Sequence, residues 1–139
     1  MDQRLNLLLA EDNLPDALLV REAIRKENLP FEVHIASDGQ QAIDFIDKAE
    51  ADSAAPCPHF LVLDLNLPKR DGFEVLKRLR ATRKCKDIPV IVISSSDSPN
   101  DVRQASALGA GYFHKPASYQ EFLKLGGVLK ELLKGSGPR

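Results

Sequence analysis

Short apolar runs alternate with longer amphipathic stretches along almost the whole chain. The runs are Leu5–Ala10, Phe31–Ala36, Phe60–Leu63, Ile88–Ile93 and Gly111–His114. Each is short enough to be a strand that is buried on both faces. The stretches between them have helical length, and the second one places its apolar residues on one face. Those residues are Ala42, Phe45, Ile46 and Ala49.

Capping signals mark the starts of three of these helices. An Asp or Ser followed three residues later by Glu or Gln predicts a helix start, because the first side chain can accept a hydrogen bond from a free backbone N–H. The pairs are Asp38 with Gln41, Asp71 with Glu74, and Ser118 with Glu121. Gly126 and Gly127 fall inside the expected last helix, where each glycine costs about 1 kcal/mol relative to alanine. We therefore expect that helix to bend or to pack unusually closely there.

Strand and helix alternation with connections of this length predicts right-handed βαβ units and a parallel sheet covered on both sides. The expected fold class is α/β, a five-stranded doubly wound sheet. A chain of 139 residues with 43% hydrophobic composition has enough material for one core. We predict a single domain over residues 1–139, with its core at about residues 5–133 and a flexible tail at residues 134–139.

Charge and hydropathy exclude several function classes. The formal net charge is -1, so no excess of positive charge draws the chain to nucleic acid or to an anionic membrane. The longest apolar runs are far shorter than the roughly 20 residues that span a bilayer. Because the N-terminus leads directly into a strand rather than a signal sequence, we expect a cytoplasmic protein.

The cysteines and histidines carry no metal-binding pattern. Cys57 lies in a Pro-Cys-Pro loop and Cys85 at the end of a charged helix, without a CxxC spacing or a nearby histidine. In a cytosolic chain we expect both to be structural thiols and expect no disulfide. His34, His59 and His114 are scattered along the chain and are interpreted as packed or rim residues.

Reactive side chains follow four of the five predicted strands. Glu11 and Asp12 follow the first strand, Asp64 ends the third, Ser94 the fourth and Lys115 the fifth. In open α/β sheets ligands bind beyond these carboxyl ends, so we expect the side chains to meet. Three converging carboxylates would repel unless a cation lay among them, and oxygen ligands favour Mg²⁺ over Zn²⁺. A hydroxyl and an ammonium beside them suit a phosphoryl group.

The chain resembles the receiver domains of two-component response regulators over about residues 5–133. Four blocks carry the resemblance, in the order that the family has them. They are Glu11-Asp12-Asn13, then Asp64-Leu-Asn-Leu-Pro68 with Asp71-Gly-Phe-Glu74, then Pro89-Val-Ile-Val-Ile-Ser94, and Gly109-Ala-Gly-Tyr-Phe-His-Lys-Pro116. The resemblance implies the flavodoxin-like strand order 2-1-3-4-5.

The resemblance also implies a role for each site residue. Asp64 would be the phosphoacceptor, and Mg²⁺ would be held by Asp12 and Asp64, by Glu11 through water, and by the backbone carbonyl of Asn66. Lys115 would contact a phosphoryl oxygen. Ser94 and Tyr112 match the switch hydroxyl and the switch aromatic, although serine replaces the commoner threonine. The Lys115–Pro116 bond would be cis.

Phosphorelay from a sensor histidine kinase is the function that this resemblance implies, with catalysis limited to the domain's own phosphorylation and dephosphorylation. The surface that would change is formed by the fourth helix, the fifth strand and the fifth helix. A narrower resemblance, through the block Asp64–Gly72 and Ser94–Asp97, is to small regulators paired with bacterial phytochrome kinases. A homodimer through an apolar patch of Tyr112, Phe113 and Leu123 and a monomer with these residues packed inward are both open, and the downstream partner is unknown.

Rival interpretations fit the residues less well. A metal-dependent phosphatase with Asp64 as its nucleophile would want a second aspartate at the position of Asn66, because asparagine cannot exchange a proton. A pseudo-receiver that signals without phosphorylation would not need all the acidic and basic positions intact. A nucleotide-binding protein would need glycines that cradle phosphate after the first strand, where Glu11–Pro15 stands.

Overall fold

The computed structural model describes residues 4–135, which form a five-stranded parallel sheet in the order β2-β1-β3-β4-β5 with helices on both faces. The strands are β1 (Leu5–Ala10), β2 (Phe31–Ala36), β3 (Phe60–Asp64), β4 (Val90–Ser94) and β5 (Gly111–His114). The helices are α1 (Leu14–Lys26), α2 (Gly39–Ala51), α3 (Gly72–Arg80), α4 (Pro99–Ala107), α5 (Tyr119–Phe122) and α6 (Leu125–Gly135). The predicted fold class and strand order are confirmed.

Alternating side chains of the strands build one core on each face of the sheet. Leu8 and Leu63 pack on one face with residues of α2 and α3, whereas Leu7 and Leu9 pack on the other with α1 and α6. The central strands are buried on both faces, as predicted. The expectation is wrong for β2 and β5, which have exposed residues because they form the two edges of the sheet.

The predicted helix starts are present, with one difference in detail. The side chains of Asp38, Asp71 and Ser118 each accept a hydrogen bond from the backbone N–H three residues later. Only α3 has the reciprocal bond of a full capping box, from the Asp71 N–H to the Glu74 carboxylate. In α2 the Gln41 side chain accepts instead from the N–H of Ser37.

The last helical region is divided into α5 and α6, just before the two glycines. A Cβ built on Gly126 would lie 2.4 Å from the carbonyl oxygen of Ala23 in α1, so this glycine permits a very close helix contact. The expected close packing is therefore confirmed. Helix α6 reaches Gly135, beyond the predicted end of the core, and residues 136–139 of the predicted tail lie outside the described part of the chain.

Cys57 and Cys85 are joined by a disulfide with a Cα–Cα distance of 5.6 Å, so the expectation of two unpaired thiols is wrong. Cys57 precedes β3 and Cys85 precedes β4, and these strands are parallel neighbours in the sheet. Their starting ends therefore lie side by side, which brings together two cysteines that are 28 residues apart in sequence.

The remaining expectations about local structure concern a peptide bond, the histidines and membrane spans. No cis peptide bond occurs within residues 4–135, so Lys115–Pro116 adopts the trans form that X–Pro bonds favour, and the expected cis bond is wrong. His34 and His59 are hydrogen-bonded to Asn6 and His114 to the carbonyl of Ser95, as rim residues. Among the described helices none combines the length and the apolar character that crossing a bilayer requires.

Candidate functional site

The acidic residues after β1 and at the end of β3 meet at the carboxyl edge of the sheet. Because β1 and β3 are parallel neighbours, both chains leave the sheet at this edge. One carboxylate oxygen each of Glu11, Asp12 and Asp64 lies within 4.8 Å of the others. Asp12 is exposed, whereas Glu11 and Asp64 are only 2% and 4% exposed. The cluster is therefore open to solvent on the Asp12 side and closed below.

The surroundings of Glu11 disfavour the charged form of its side chain. Its Oε2 accepts a hydrogen bond of 3.2 Å from the N–H of Asn13, but its buried Oε1 has no hydrogen-bond partner. Burial, reinforced by the neighbouring Asp64 carboxylate, raises the pKa of Glu11 to about 8. A buried carboxylate in this position would be relieved by a cation.

Lys115 projects into the cluster from the end of β5. Its Nζ lies 2.8 Å from Asp16 Oδ2, 2.9 Å from Glu11 Oε1 and 3.0 Å from Asp64 Oδ2. Hydrogen bonds form with Asp16 and Asp64 only, so the Glu11 contact is an ion pair without hydrogen-bond alignment. Burial alone would lower the pKa of Lys115, but the surrounding carboxylates raise it above its usual value, and the side chain remains an ammonium.

The Asp64 carboxylate is fixed from two sides. Its Oδ1 accepts from the N–H of Asn66 at 3.0 Å, and its Oδ2 accepts from Lys115. Burial would raise the pKa of Asp64, but the adjoining Glu11 carboxyl, the Asn66 N–H and the Lys115 ammonium together lower it below the ordinary value. Asp64 is therefore ionised at neutral pH.

The donor set fits a hard divalent cation. The three clustered side chains offer only oxygen atoms, and one of those residues has a buried oxygen without a hydrogen bond. Oxygen-only sites with an open, hydrated side are typical of Mg²⁺ and Mn²⁺. The carbonyl of Asn66 remains a predicted fourth ligand, since the contact that the structure gives this residue is made by its N–H.

Ser94 and Tyr112 are connected through the loop between β4 and α4. Ser94 is fully buried at the end of β4, and its Oγ accepts a hydrogen bond of 3.0 Å from the N–H of Ser96. The Tyr112 hydroxyl donates to the carbonyl oxygen of that same Ser96 at 2.6 Å. The two predicted switch residues thus form hydrogen bonds with the same loop residue: Ser94 with the N–H of Ser96, and Tyr112 with its carbonyl oxygen.

Sequence reasoning missed Asp16 and Ser96. Asp16 follows the helix cap Asn13 by three residues, which marks it as a first-turn acid, but nothing in the sequence indicates contact with Lys115, 99 residues away. Ser96 carries only a weak signal, as one of three consecutive serines. Both residues act through long-range contacts that only the folded chain creates.

The three residues of the predicted dimer patch are buried or half-buried. Leu123 is buried, and Tyr112 and Phe113 are half-buried against the two cores. Phe113 also makes an edge-to-face contact with Phe122, with ring centroids 6.1 Å apart. These contacts favour the inward-packed alternative for the three residues.

Known proteins are similar to this chain in sequence and in fold. The model of the response regulator receiver domain matches residues 7–125. Response regulator Rcp1 of Synechocystis sp. is 33% identical over 120 residues, which are 86% of this chain and 82% of that protein. The crystal structure of the phosphorylated cyanobacterial phytochrome response regulator RcpA superposes with a TM-score of 0.85, at 30% identity, over 98% of both chains.

The crystal structure of the Mn²⁺-bound form of Rcp1 gives a TM-score of 0.82 at 30% identity, over 96% of both chains. The resemblance to regulators associated with phytochromes is thereby confirmed. The family match covers well over half of the chain and includes all three residues of the acidic cluster. The chain therefore belongs to the response regulator receiver domain family of two-component signalling.

Proposed function

We propose that Asp64 accepts a phosphoryl group from the phosphohistidine of a sensor histidine kinase. The observation that carries this proposal is the Asp64 carboxylate itself, which is buried, ionised and held between the Asn66 N–H and the Lys115 ammonium. Glu11 and Asp12 lie beside it. This combination suits a nucleophile that needs positioning rather than deprotonation.

The transfer forms one bond and breaks one. An oxygen of the ionised Asp64 carboxylate bonds to phosphorus, while the phosphorus–nitrogen bond breaks and its electron pair stays on the departing histidine. Lys115 would move its hydrogen bond from Asp64 to a phosphoryl oxygen and neutralise part of its charge. Attack of water on phosphorus later releases inorganic phosphate and restores the carboxylate. The chain would catalyse these two reactions on itself only.

Mg²⁺ is the proposed cofactor, held directly by Asp12, Asp64 and the backbone carbonyl of Asn66, and by Glu11 through water. When bound, it would neutralise negative charge on the transferred group's oxygens. The oxygen-only donor set supports this assignment, as does the buried Oε1 of Glu11, which makes an ion pair with Lys115 but no hydrogen bond. A structure of the relative Rcp1 is described as Mn²⁺-bound, which is the same class of hard cation.

The output is proposed to be a change in the surface formed by α4, β5 and the last helical region. Phosphorylation adds roughly one to two negative charges and new acceptor oxygens, to which the Ser94 hydroxyl can turn. Ser94 would then release the N–H of Ser96, whose carbonyl holds Tyr112. Partner affinity would change as Tyr112 and this loop rearrange.

A phytochrome-type histidine kinase is the proposed phosphodonor, because several similar structures are described as phytochrome or bacteriophytochrome response regulators. Such an exchange would take place in the cytoplasm. The burial of Leu123 favours a monomer over a homodimer, and light scattering before and after phosphorylation distinguishes the two. A constant mass would contradict phosphorylation-dependent dimerisation.

Intact-mass spectrometry after incubation with acetyl phosphate and Mg²⁺ tests the central proposal. We expect one phosphoryl adduct on the wild type, none on Asp64→Asn, and an undiminished adduct on Asp44→Asn. Asp44 is an exposed aspartate on α2, so its replacement controls for the loss of a charge. A full adduct on Asp64→Asn would overturn the assignment.

A further inference from the structure

The Lys115 ammonium is held by one carboxylate that does not belong to the acidic cluster. Asp16 in the first turn of α1 makes the shortest of the three carboxylate contacts, 2.8 Å from its Oδ2 to Lys115 Nζ. The two side chains are 25% and 12% exposed, so the pair is largely shielded from water. Shielding of this degree makes the ion pair stronger than one on the open surface.

Lys115 donates one hydrogen bond to the proposed phosphoacceptor and one to a residue that takes no part in the reaction. An ammonium has three donors, and Lys115 directs two of them to Asp64 and Asp16. An Asp64 oxygen becomes bonded to phosphorus on phosphorylation, so that contact must change. Asp16 lies on α1, outside the acidic cluster, and its contact can persist throughout.

We propose that Asp16 is a positioning residue, whose carboxylate holds the Lys115 ammonium in place while its other hydrogen bond passes from Asp64 to the phosphoryl group. This inference rests on the proposed phosphorylation of Asp64. A lysine ammonium sits on a flexible four-carbon stem. Without Asp16, it would pair wholly with Asp64 and Glu11 or turn toward water, and it would be poorly placed for the transferred group.

A simpler role for Asp16 is to favour the start of α1. Its N–H is capped by Asn13, and an acid in the first turn interacts favourably with the helix dipole. This role would affect helix stability in any background, whereas a role through Lys115 requires that lysine. A double-mutant cycle therefore separates the two.

The cycle measures the phosphorylation rate with acetyl phosphate at saturating Mg²⁺. We expect Asp16→Asn to slow the wild type about threefold to tenfold, and to slow Lys115→Ala by less than about twofold. Equal slowing in both backgrounds would overturn the proposal and leave only the helix role. Glu121→Gln is the matched control, because Glu121 also follows a capping residue, Ser118, by three positions. It pairs with Lys124, so we expect an unchanged rate.

A second measurement is independent of phosphorylation. The ¹⁵N–¹H signal of the Lys115 ammonium, recorded in the metal-free protein, reports how firmly its protons are held. We expect this signal to be sharp in the wild type and Glu121→Gln and to broaden by exchange with water in Asp16→Asn. An unchanged signal in Asp16→Asn would overturn the role of Asp16. Absence of a phosphoryl adduct on the wild type would instead overturn the proposed function.

Discussion

Tyr112 and Ser96 are joined by a hydrogen bond of 2.6 Å from the tyrosine hydroxyl to the serine carbonyl. The N–H of the same Ser96 is held by the Ser94 hydroxyl, so one peptide segment is fixed from the core and from β5. A displacement of either hydroxyl changes the restraint on this loop. Ser96 is therefore the physical link between the proposed phosphorylation site and the surface around β5.

Tyr112→Phe removes only the hydroxyl of this link. Since a typical hydrogen bond contributes about 0.5–1.5 kcal/mol net, we expect the free energy of unfolding to fall by about that amount in urea denaturation. The phosphoryl adduct on Asp64 should be retained, whereas the amide signal of Ser96 should broaden in NMR spectra. Tyr119→Phe is the control, because Tyr119 is 53% exposed on α5 and should change stability by less than about 0.5 kcal/mol. Equal effects of the two variants would contradict the role of the Ser96 contact.

The Cys57–Cys85 disulfide should contribute measurable stability. A bridge that closes a loop with a sequence separation of 28 is worth about 3–4 kcal/mol in the chain-entropy account. We expect reduction to lower the free energy of unfolding of the wild type by up to that amount and to leave the double variant Cys57→Ala, Cys85→Ala unaffected. A similar loss in the double variant would show that the reductant acts elsewhere.

The protein should remain folded after reduction of the disulfide, because hydrogen bonds from Lys84 hold the same loop in place. Its ammonium donates to the carbonyls of Ala49, Asp52 and Ala55, next to the Cys57 segment. The phosphoryl adduct should also survive, since both cysteines lie at the starting ends of the strands, opposite the acidic cluster. Loss of the adduct on reduction would contradict this separation.

Gly126 and Gly127 form a natural pair for testing how α6 packs on α1. An added methyl group at Gly126 would meet the Ala23 carbonyl at 2.4 Å, whereas one at Gly127 would meet nothing within 4 Å. We expect Gly126→Ala to lower the free energy of unfolding by about 1–3 kcal/mol through overpacking. Gly127→Ala should raise it by up to about 1 kcal/mol, because alanine favours helix. Urea denaturation measures both, and equal shifts in the same direction would contradict the close contact.

The sequence predicted most of what depends on neighbouring residues along the chain. The apolar runs and the pairs such as Asp71 with Glu74 gave strands and helix starts within a few residues, because those signals act locally. Asp64 and Lys115 were found because parallel strands end at the same edge. What could not be predicted depends on distant partners, as in the Asp16 contact with Lys115 and the disulfide. The exposure of β2 and β5 likewise follows from strand order rather than from the composition of each strand.

A measurement of cation affinity is the most direct test of whether the acidic cluster binds a divalent metal ion. Asp12 is its exposed member, and Asp12→Asn removes one carboxylate while the buried Glu11 and Asp64 stay in place. Loss of partners even outside the ligand shell weakens metal binding about 10- to 100-fold, so we expect the dissociation constant for Mg²⁺ or Mn²⁺ to rise at least about tenfold. Calorimetric titration measures this change.

Asp44→Asn serves as its matched control, because it removes an exposed charge on α2 away from the cluster. If both variants bound the cation equally, the affinity would reflect overall charge rather than ligation. A loss confined to Asp12→Asn, with the free energy of unfolding in the absence of metal not lowered, would instead assign the cation to this edge of the sheet. The convergence of the Glu11, Asp12 and Asp64 carboxyl groups gives the physical reason to expect that outcome, since a divalent cation would offset their mutual repulsion.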